Sequence, residues 1–133
     1  GSLCCEALKD YGRALGMAFQ IRDDILDYEG GQEIGKPRGA DIREGKITLP
    51  LLGALEGYPR EREIRDMTKN VNSDPSLCER IVGFVKERKG CEYAREALRK
   101  YVDEACSAIE DLPASREKDM LTALAEFTAS RNV

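Results

Sequence analysis

The sequence predicts an all-α protein whose helices pack as a bundle, and two observations support this fold class. Apolar residues recur at steps of three and four along most of the chain, as they do on a helix with one buried face. No segment shows the sustained alternation of apolar and polar residues that is typical of a strand. The chain has 133 residues, the length of one ordinary domain, and we expect a single domain.

The first predicted helix is long and covers about residues 4–28. Its apolar stripe comprises Leu8, Tyr11, Leu15, Ala18 with Phe19, and Leu26. The helix ends at Gly30 and Gly31, and the stretch from there to Gly45 contains further helix breakers among charged residues: Gly35, Pro37 and Gly39. We predict no regular element in this stretch. Loops of this length are uncommon in compact domains, so it is either a working lid or a disordered connection.

Five more helices are predicted after this loop. Thr48 is a candidate cap for a helix with Pro50 in its first turn, where a missing amide hydrogen costs little. A charged helix over about residues 60–70 precedes another over about 75–89, which Gly90 should close. A helix from Cys91 should end before Pro113. Ser115 can cap the last helix, whose predicted buried face is Leu121, Leu124, Ala125 and Thr128.

Composition excludes several classes of function. The net charge of −4 has the wrong sign for general attraction to nucleic acid or anionic lipid. No apolar run reaches the roughly 20 residues that a membrane span needs, and the first residues do not resemble a secretion signal. The five cysteines lack CxxC spacing and the chain has no histidine, which predicts reduced thiols in a cytoplasmic protein. Gly1-Ser2 resembles a cloning remnant, so we expect a natural start at Leu3 or upstream.

Polar residues near the end of the first helix converge on one face. Gln20, Asp23, Asp24 and Asp27 fall within roughly 100° of arc at about 100° per residue, and Gly16 projects into the same arc. Carboxylates four residues apart repel each other, and acids near the carboxyl-terminal end of a helix oppose its dipole. A divalent cation would offset this cost, since Mg²⁺ typically takes one or two carboxylates together with waters and phosphates.

Basic residues follow the acidic face within a short span: Lys36, Arg38, Arg43 and Lys46. Acids that hold a metal and bases that contact phosphate oxygens, joined by a glycine-rich loop, are what a diphosphate site requires. The alternative is a solvated acidic face, which is what most charge clusters on helices are.

Three segments resemble the trans-isoprenyl diphosphate synthases: GMAFQIRDDILD, GKPRGADIREGKITLPLL and EYAREALRKYVDEACSAIEDLP. This resemblance covers essentially the whole chain but only part of the family's length. It implies that the chain is the carboxyl-terminal part of one isoprenoid synthase domain. The implied parent enzyme is a Mg²⁺-dependent prenyltransferase that condenses an allylic diphosphate with isopentenyl diphosphate.

The resemblance also implies roles for single residues. Asp23 would be the principal Mg²⁺ ligand of the second aspartate-rich motif, Asp24 would act directly or through bound water, and Asp27 would reinforce the site. The lysines that neutralise diphosphate oxygens would be Lys36 and Lys46. The space beside the reacting carbons would be lined by Phe19 and Gln20. We interpret Arg38 and Arg43 as surface charges.

The sequence departs from the family in one respect, because the first aspartate-rich motif and the residues that hold isopentenyl diphosphate do not appear. We therefore expect this chain to be inactive alone, to need the missing amino-terminal helices of its parent, and to form a homo-oligomer through apolar stripes left uncovered. Two alternatives are a noncatalytic helical subunit or interaction module and a class I terpene cyclase. Product chain length and the preferred allylic substrate cannot be deduced.

Overall fold

The computed structural model describes residues 2–30 and 39–130. Within these two ranges the chain forms seven α-helices and no strand. The prediction of an all-α fold is therefore confirmed. In chain order the helices are α1 (Ser2–Glu29), α2 (Ala40–Arg43), α3 (Leu49–Leu55), α4 (Glu61–Asn70), α5 (Ser76–Glu87), α6 (Gly90–Ala108) and α7 (Arg116–Thr128).

The chain divides into two compact units. The first unit comprises Gly1–Arg22 and Arg95–Val133, and the second comprises Asp23–Ala94. Helices α1 and α6 contribute residues to both units.

In the first unit, residues of α1, α6 and α7 pack together. The Tyr11 hydroxyl on α1 donates a hydrogen bond of 2.6 Å to the Leu121 carbonyl oxygen on α7. Arg99 on α6 contacts Glu126 on α7 through two hydrogen bonds of 2.8 and 3.0 Å. The core of this unit includes side chains with little or no exposure: Ala18, Leu98, Val102, Ala105, Ile109 and Ala125.

The cap predicted for the last helix is confirmed. Ser115 precedes α7 in an extended conformation, and its hydroxyl accepts a hydrogen bond of 3.0 Å from the Lys118 backbone amide. This bond satisfies one of the amide groups that a helix leaves without a partner at its start. Of the predicted buried face, Ala125 and Thr128 are buried but Leu124 is exposed.

In the second unit, the short helices surround a core to which α2, α3, α4 and α5 contribute. Buried apolar side chains of this core include Ile42, Leu51, Ala54, Ile64, Ile81 and Val85. Arg88, just after α5, donates hydrogen bonds of 2.7 and 2.8 Å to the carbonyl oxygens of Ala54 and Glu56 at the end of α3. These bonds satisfy carbonyl groups that a helix end leaves without a partner.

Two predictions of local structure are wrong. The sequence predicts no regular structure from Gly30 to Gly45, but this stretch contains α2. Gly39, which precedes α2, has the left-handed conformation with φ of 88°. Gly90 was predicted to close α5, but it begins α6, and Lys89 takes the left-handed conformation with φ of 59°. Gly90 is needed for close packing, since a Cβ atom there would overlap the Pro50 carbonyl oxygen.

The apolar stripe predicted for α1 is buried only in part. Tyr11, Leu15 and Ala18 belong to the core, whereas Leu8 and Phe19 are exposed by about two fifths. Periodicity alone does not distinguish a side chain buried within this chain from one that is available to a further partner.

The structure tests two further expectations, on membrane-spanning helices and on disulfide bonds. None of the helices in residues 2–30 and 39–130 is long and apolar enough to cross a membrane. The structure describes all five cysteines, and none of them forms a disulfide.

Candidate functional site

The three aspartates at the end of α1 lie in very different surroundings. Asp23 is exposed to solvent. Asp24 retains 6% of its accessible surface, and Asp27 retains none. A helical stripe of carboxylates therefore contains one acid that solvent reaches readily and two that it scarcely reaches.

Asp27 is engaged by the chain that begins at Gly39. Its Oδ1 accepts a hydrogen bond of 3.1 Å from the Asp41 backbone amide, and its Oδ2 accepts one of 3.3 Å from the Ile42 amide. Its own carbonyl oxygen accepts a third bond, of 2.8 Å, from the Gly39 amide. A buried carboxylate is costly without such partners, and a negative charge beside the first amides of a helix is favourable. Asp27 thus joins the end of α1 to the start of α2.

Lys46 lies at the far end of the same short segment. Its backbone amide donates to the Asp41 carbonyl oxygen at 3.0 Å. Its side chain is 58% exposed, and its ammonium group forms ion pairs of 3.0 Å with Glu44 and 3.6 Å with Asp41. The Glu44 hydrogen bond and charge, and then the Asp41 charge, raise the pKa of Lys46, so this group is a cation at neutral pH.

The buried phenol of Tyr28 lies beside Asp27 in the chain. Burial, together with the negative charge of Asp27, raises the pKa of Tyr28 and keeps its hydroxyl protonated at neutral pH. Tyr28 therefore adds no charge to this end of α1.

The remaining predicted site residues are distributed as follows. Phe19 and Gln20 are exposed on α1 and belong to the first unit. Their predicted role beside the substrate stays a prediction. Lys36 lies outside the described residues, as does Arg38. Arg43 is exposed on α2, in agreement with its interpretation as a surface charge.

The acidic side chains in the part of the chain that the structure describes do not form a metal cage by themselves. The described residues contain no group of three or more cysteine, aspartate or glutamate side chains arranged to hold a metal ion. This arrangement still fits Mg²⁺, which usually keeps several waters and is bound by one or two carboxylates with substrate phosphates. Exposed Asp23 offers oxygen ligands of the required kind, whereas both oxygens of Asp27 already accept backbone hydrogen bonds.

Sequence reasoning missed the contribution of Asp41. The Asp41 backbone amide donates a hydrogen bond to the Asp27 carboxylate. Its carbonyl oxygen accepts the Lys46 amide, and its carboxylate forms an ion pair with the Lys46 ammonium group. A weak signal is present, because acidic residues are enriched in the first turn of helices and Asp41 lies in the first turn of α2. The number of helix breakers in the surrounding loop outweighed it.

Comparison with known proteins supports the resemblance noted in the sequence. The pattern of the polyprenyl synthetase family matches residues 2–85. The chain is 38% identical over 130 residues to the octaprenyl diphosphate synthase of Haemophilus influenzae, and the match covers 96% of this chain and 39% of that protein. It is 39% identical over 114 residues to the mitochondrial solanesyl-diphosphate synthase 1 of Oryza sativa subsp. japonica, covering 85% of this chain and 26% of that protein.

Solved structures agree with the sequence comparison. The chain superposes with a TM-score of 0.88 and 36% identity on the polyprenyl synthase of Caulobacter crescentus CB15 complexed with calcium and isoprenyl diphosphate, covering 100% of this chain and 42% of that one. This chain therefore spans well under half of the length of each of these relatives. Because the family pattern covers more than half of this chain and a solved relative covers all of it, the chain belongs to the polyprenyl synthetase family.

Proposed function

We propose that this chain contributes the second aspartate-rich, Mg²⁺-binding and diphosphate-binding motif of a prenyltransferase. The parent enzyme would condense an allylic diphosphate with isopentenyl diphosphate. The observation that carries the proposal is that exposed Asp23 lies one helical turn before Asp27, whose carboxylate binds the segment that bears Lys46. The names of the relatives support it, since they are prenyl diphosphate synthases, and the Caulobacter protein is complexed with calcium and isoprenyl diphosphate.

The proposed motif comprises Asp23, Asp24 and Asp27, of which Asp23 and Asp24 are the proposed metal ligands. Asp23 is the principal ligand because its carboxylate is open to a hydrated ion. Asp24, with 6% of its surface accessible, acts directly or through metal-bound water. Asp27 reinforces the motif one helical turn after Asp23. A bound Mg²⁺ would supply Lewis-acid stabilisation of charge on the diphosphate.

The proposed partners of the diphosphate oxygens are Lys36 and Lys46. The Lys46 ammonium is held by surface ion pairs with Glu44 and Asp41. Surface ion pairs are weak, so a polyanionic ligand can replace these partners by rotation of the flexible lysine side chain.

The proposed reaction needs no side-chain nucleophile. The bond between the allylic carbon and the diphosphate oxygen breaks, and its electron pair leaves with the diphosphate. The double bond of isopentenyl diphosphate attacks the resulting cation, and a proton is then lost. Negative charge accumulates on the departing diphosphate, so cations placed there bind the transition state more strongly than the ground state.

We expect the chain to be inactive alone, because a facing acidic motif and residues for isopentenyl diphosphate are also required. The missing amino-terminal helices of the parent, or a second copy, would cover apolar side chains that are open here. Met120 is 62% exposed and Phe127 is 52% exposed on α7. Prenyl transfer detected from the purified chain with Mg²⁺ and both substrates would contradict this expectation.

Calorimetric titration with inorganic pyrophosphate tests the proposed site directly. We expect uptake by the 133-residue chain to require Mg²⁺ and to weaken about tenfold or more in Asp23→Asn. Asp66→Asn on α4 is the matched control, because it removes the same charge from another exposed aspartate. Equal pyrophosphate affinity in the wild type and Asp23→Asn would contradict the proposal.

The same titration separates the alternatives from different classes. An interaction module or noncatalytic subunit should show no Mg²⁺-dependent uptake, and Asp23→Asn should leave its behaviour unchanged. A class I terpene cyclase would also bind diphosphate with Mg²⁺, but addition of isopentenyl diphosphate to the complete parent would not lengthen the allylic chain.

A further inference from the structure

We propose that Asp27 is a positioning residue, whose carboxylate holds the segment from Gly39 to Lys46 against the end of α1 and thereby places Lys46. This inference rests on the proposed diphosphate-binding function and deepens it. It assigns the third aspartate of the motif a task different from that of the first. Three features support it: the burial of Asp27, the path of hydrogen bonds from Asp27 to Lys46, and the contrast with Asp23.

The burial of Asp27 leaves little opportunity for direct contact with a hydrated metal ion. The residue has no accessible surface, and each carboxylate oxygen accepts one backbone amide. Mg²⁺ gives up its waters reluctantly and needs its ligands at about 2.0–2.1 Å. Replacing the amides would break two charge-assisted hydrogen bonds inside the protein, which are about twice as strong as neutral ones. Positioning is therefore the role that this geometry favours.

The path from Asp27 to Lys46 runs through a single residue. Asp27 holds the Asp41 amide, and the Asp41 carbonyl oxygen accepts the Lys46 amide at 3.0 Å. The Asp41 carboxylate also lies 3.6 Å from the Lys46 ammonium. Two consecutive hydrogen bonds therefore connect the α1 carboxylate to the backbone of the lysine.

The turn between Asp41 and Lys46 requires a glycine at position 45. Gly45 has a φ of 77°, its amide donates to the Ile42 carbonyl oxygen at 2.9 Å, and a Cβ atom there would lie 3.0 Å from the Thr68 carbonyl oxygen. Ile42 itself is 2% exposed and fixes α2 in the core. If the Asp27 carboxylate releases α2, the segment that carries Lys46 keeps only the bond from the Gly39 amide to the Asp27 carbonyl oxygen as its hydrogen bond to α1, although the buried side chain of Ile42 remains.

Asp23 provides the contrast, because it belongs to the same motif on the same helix and yet is exposed. Asp27→Asn and Asp23→Asn make the same chemical change, one helical turn apart. In Asp27→Asn the side-chain amide keeps one acceptor and turns a donor toward the second backbone amide. In Asp23→Asn neither amide of α2 is affected.

Amide hydrogen exchange, measured by NMR on the 133-residue chain, tests the positioning role without any ligand. We expect exchange at Asp41 or Ile42 to accelerate about tenfold or more in Asp27→Asn and to change less than about twofold in Asp23→Asn. Exchange at Ile81, in the core of the same unit, serves as the control for folding. Unchanged exchange at both Asp41 and Ile42 in folded Asp27→Asn would overturn the proposal.

A double-mutant cycle on Mg²⁺-dependent pyrophosphate affinity tests whether Asp27 acts through Lys46. We expect Asp27→Asn and Lys46→Ala each to weaken binding, and the double variant to bind no more than about twofold weaker than the weaker single variant. Combination of Asp27→Asn with Lys69→Ala, an exposed lysine on α4, should show independent effects. Multiplying losses in the Asp27 and Lys46 cycle would show that the two residues act independently and would overturn the link.

The two experiments distinguish the failure of this inference from failure of the proposed function. A wild-type chain that takes up no pyrophosphate with Mg²⁺ would overturn the proposed function and the link to Lys46 with it. Amide exchange would still test whether the Asp27 carboxylate binds the amides of α2. Conversely, normal pyrophosphate uptake with unchanged exchange in Asp27→Asn would overturn the positioning role alone.

Discussion

Replacement of Gly90 by alanine should destabilise the chain, although alanine is the better helix former. Gly90 is the first residue of α6 and is buried. A Cβ atom there would overlap the Pro50 carbonyl oxygen and would lie 2.9 Å from Val85 Cγ1 and 3.0 Å from the Pro50 carbonyl carbon. Two of these three atoms belong to the α3 backbone, so no side-chain rotation can remove the overlap.

The expected magnitude follows from two opposed effects. The helix propensity of alanine over glycine contributes at most about 1 kcal/mol of stabilisation, and less at the first residue of a helix. Insertion of a methyl group into a packed site costs about 1–3 kcal/mol, and a backbone obstacle favours the upper end. We therefore expect Gly90→Ala to lower the free energy of unfolding by about 2 kcal/mol.

Gly83→Ala is the matched control. Gly83 lies within α5 and is exposed, and a Cβ atom added to it would meet no neighbouring side chain or distant backbone within 4 Å. This substitution should raise the free energy of unfolding by about 0.5–1 kcal/mol. Both variants would be compared with the wild type by urea unfolding, where a difference of about 2 kcal/mol shifts the midpoint by about 1–2 M if the slope is unchanged. A Gly90→Ala midpoint equal to or above that of the wild type would refute the reasoning.

Two further predictions concern the first unit. Ser115→Ala should lower the free energy of unfolding by about 1 kcal/mol, because it removes the acceptor of the Lys118 amide at the start of α7. An unchanged midpoint of thermal unfolding would contradict this prediction. The Arg99 contact lowers the pKa of Glu126 from its ordinary value of 4.5. The contribution of this contact to the free energy of unfolding is therefore fully present above that pH and is lost as pH falls through the lowered pKa. Both side chains are about half exposed, and Arg99 also contacts exposed Asp103 on its own helix, so Arg99→Met should lower the free energy of unfolding by about 0.2–1 kcal/mol at neutral pH. The loss should become progressively smaller below about pH 4 in urea unfolding. A loss that persists at about pH 2 would exclude the Glu126 and Asp103 carboxylates as its source.

Much of the fold could be predicted because most of the helices are specified by neighbouring residues. The periodicity of α1, the cap at Ser115 and the proline in the first turn of α3 are local features, and each lies where the sequence predicts it. The errors occur where a distant contact decides the conformation. The sequence favours a helix end at Gly90 because glycine commonly has that role. In the structure, a glycine is needed there because a Cβ atom would overlap the Pro50 carbonyl oxygen.

At the candidate site, too, the sequence determines the spacing of the acidic residues but not their surroundings. The spacing of Asp23, Asp24 and Asp27 on one helical stripe follows from the 3.6-residue turn of the α-helix, and the family follows from the motif and its surroundings. The sequence could not distinguish the three carboxylates, because spacing does not determine solvent exposure. Only the tertiary structure decided that Asp23 is open and that Asp27 is buried against the amides of Asp41 and Ile42, since those amides come from a segment that folds back from further along the chain.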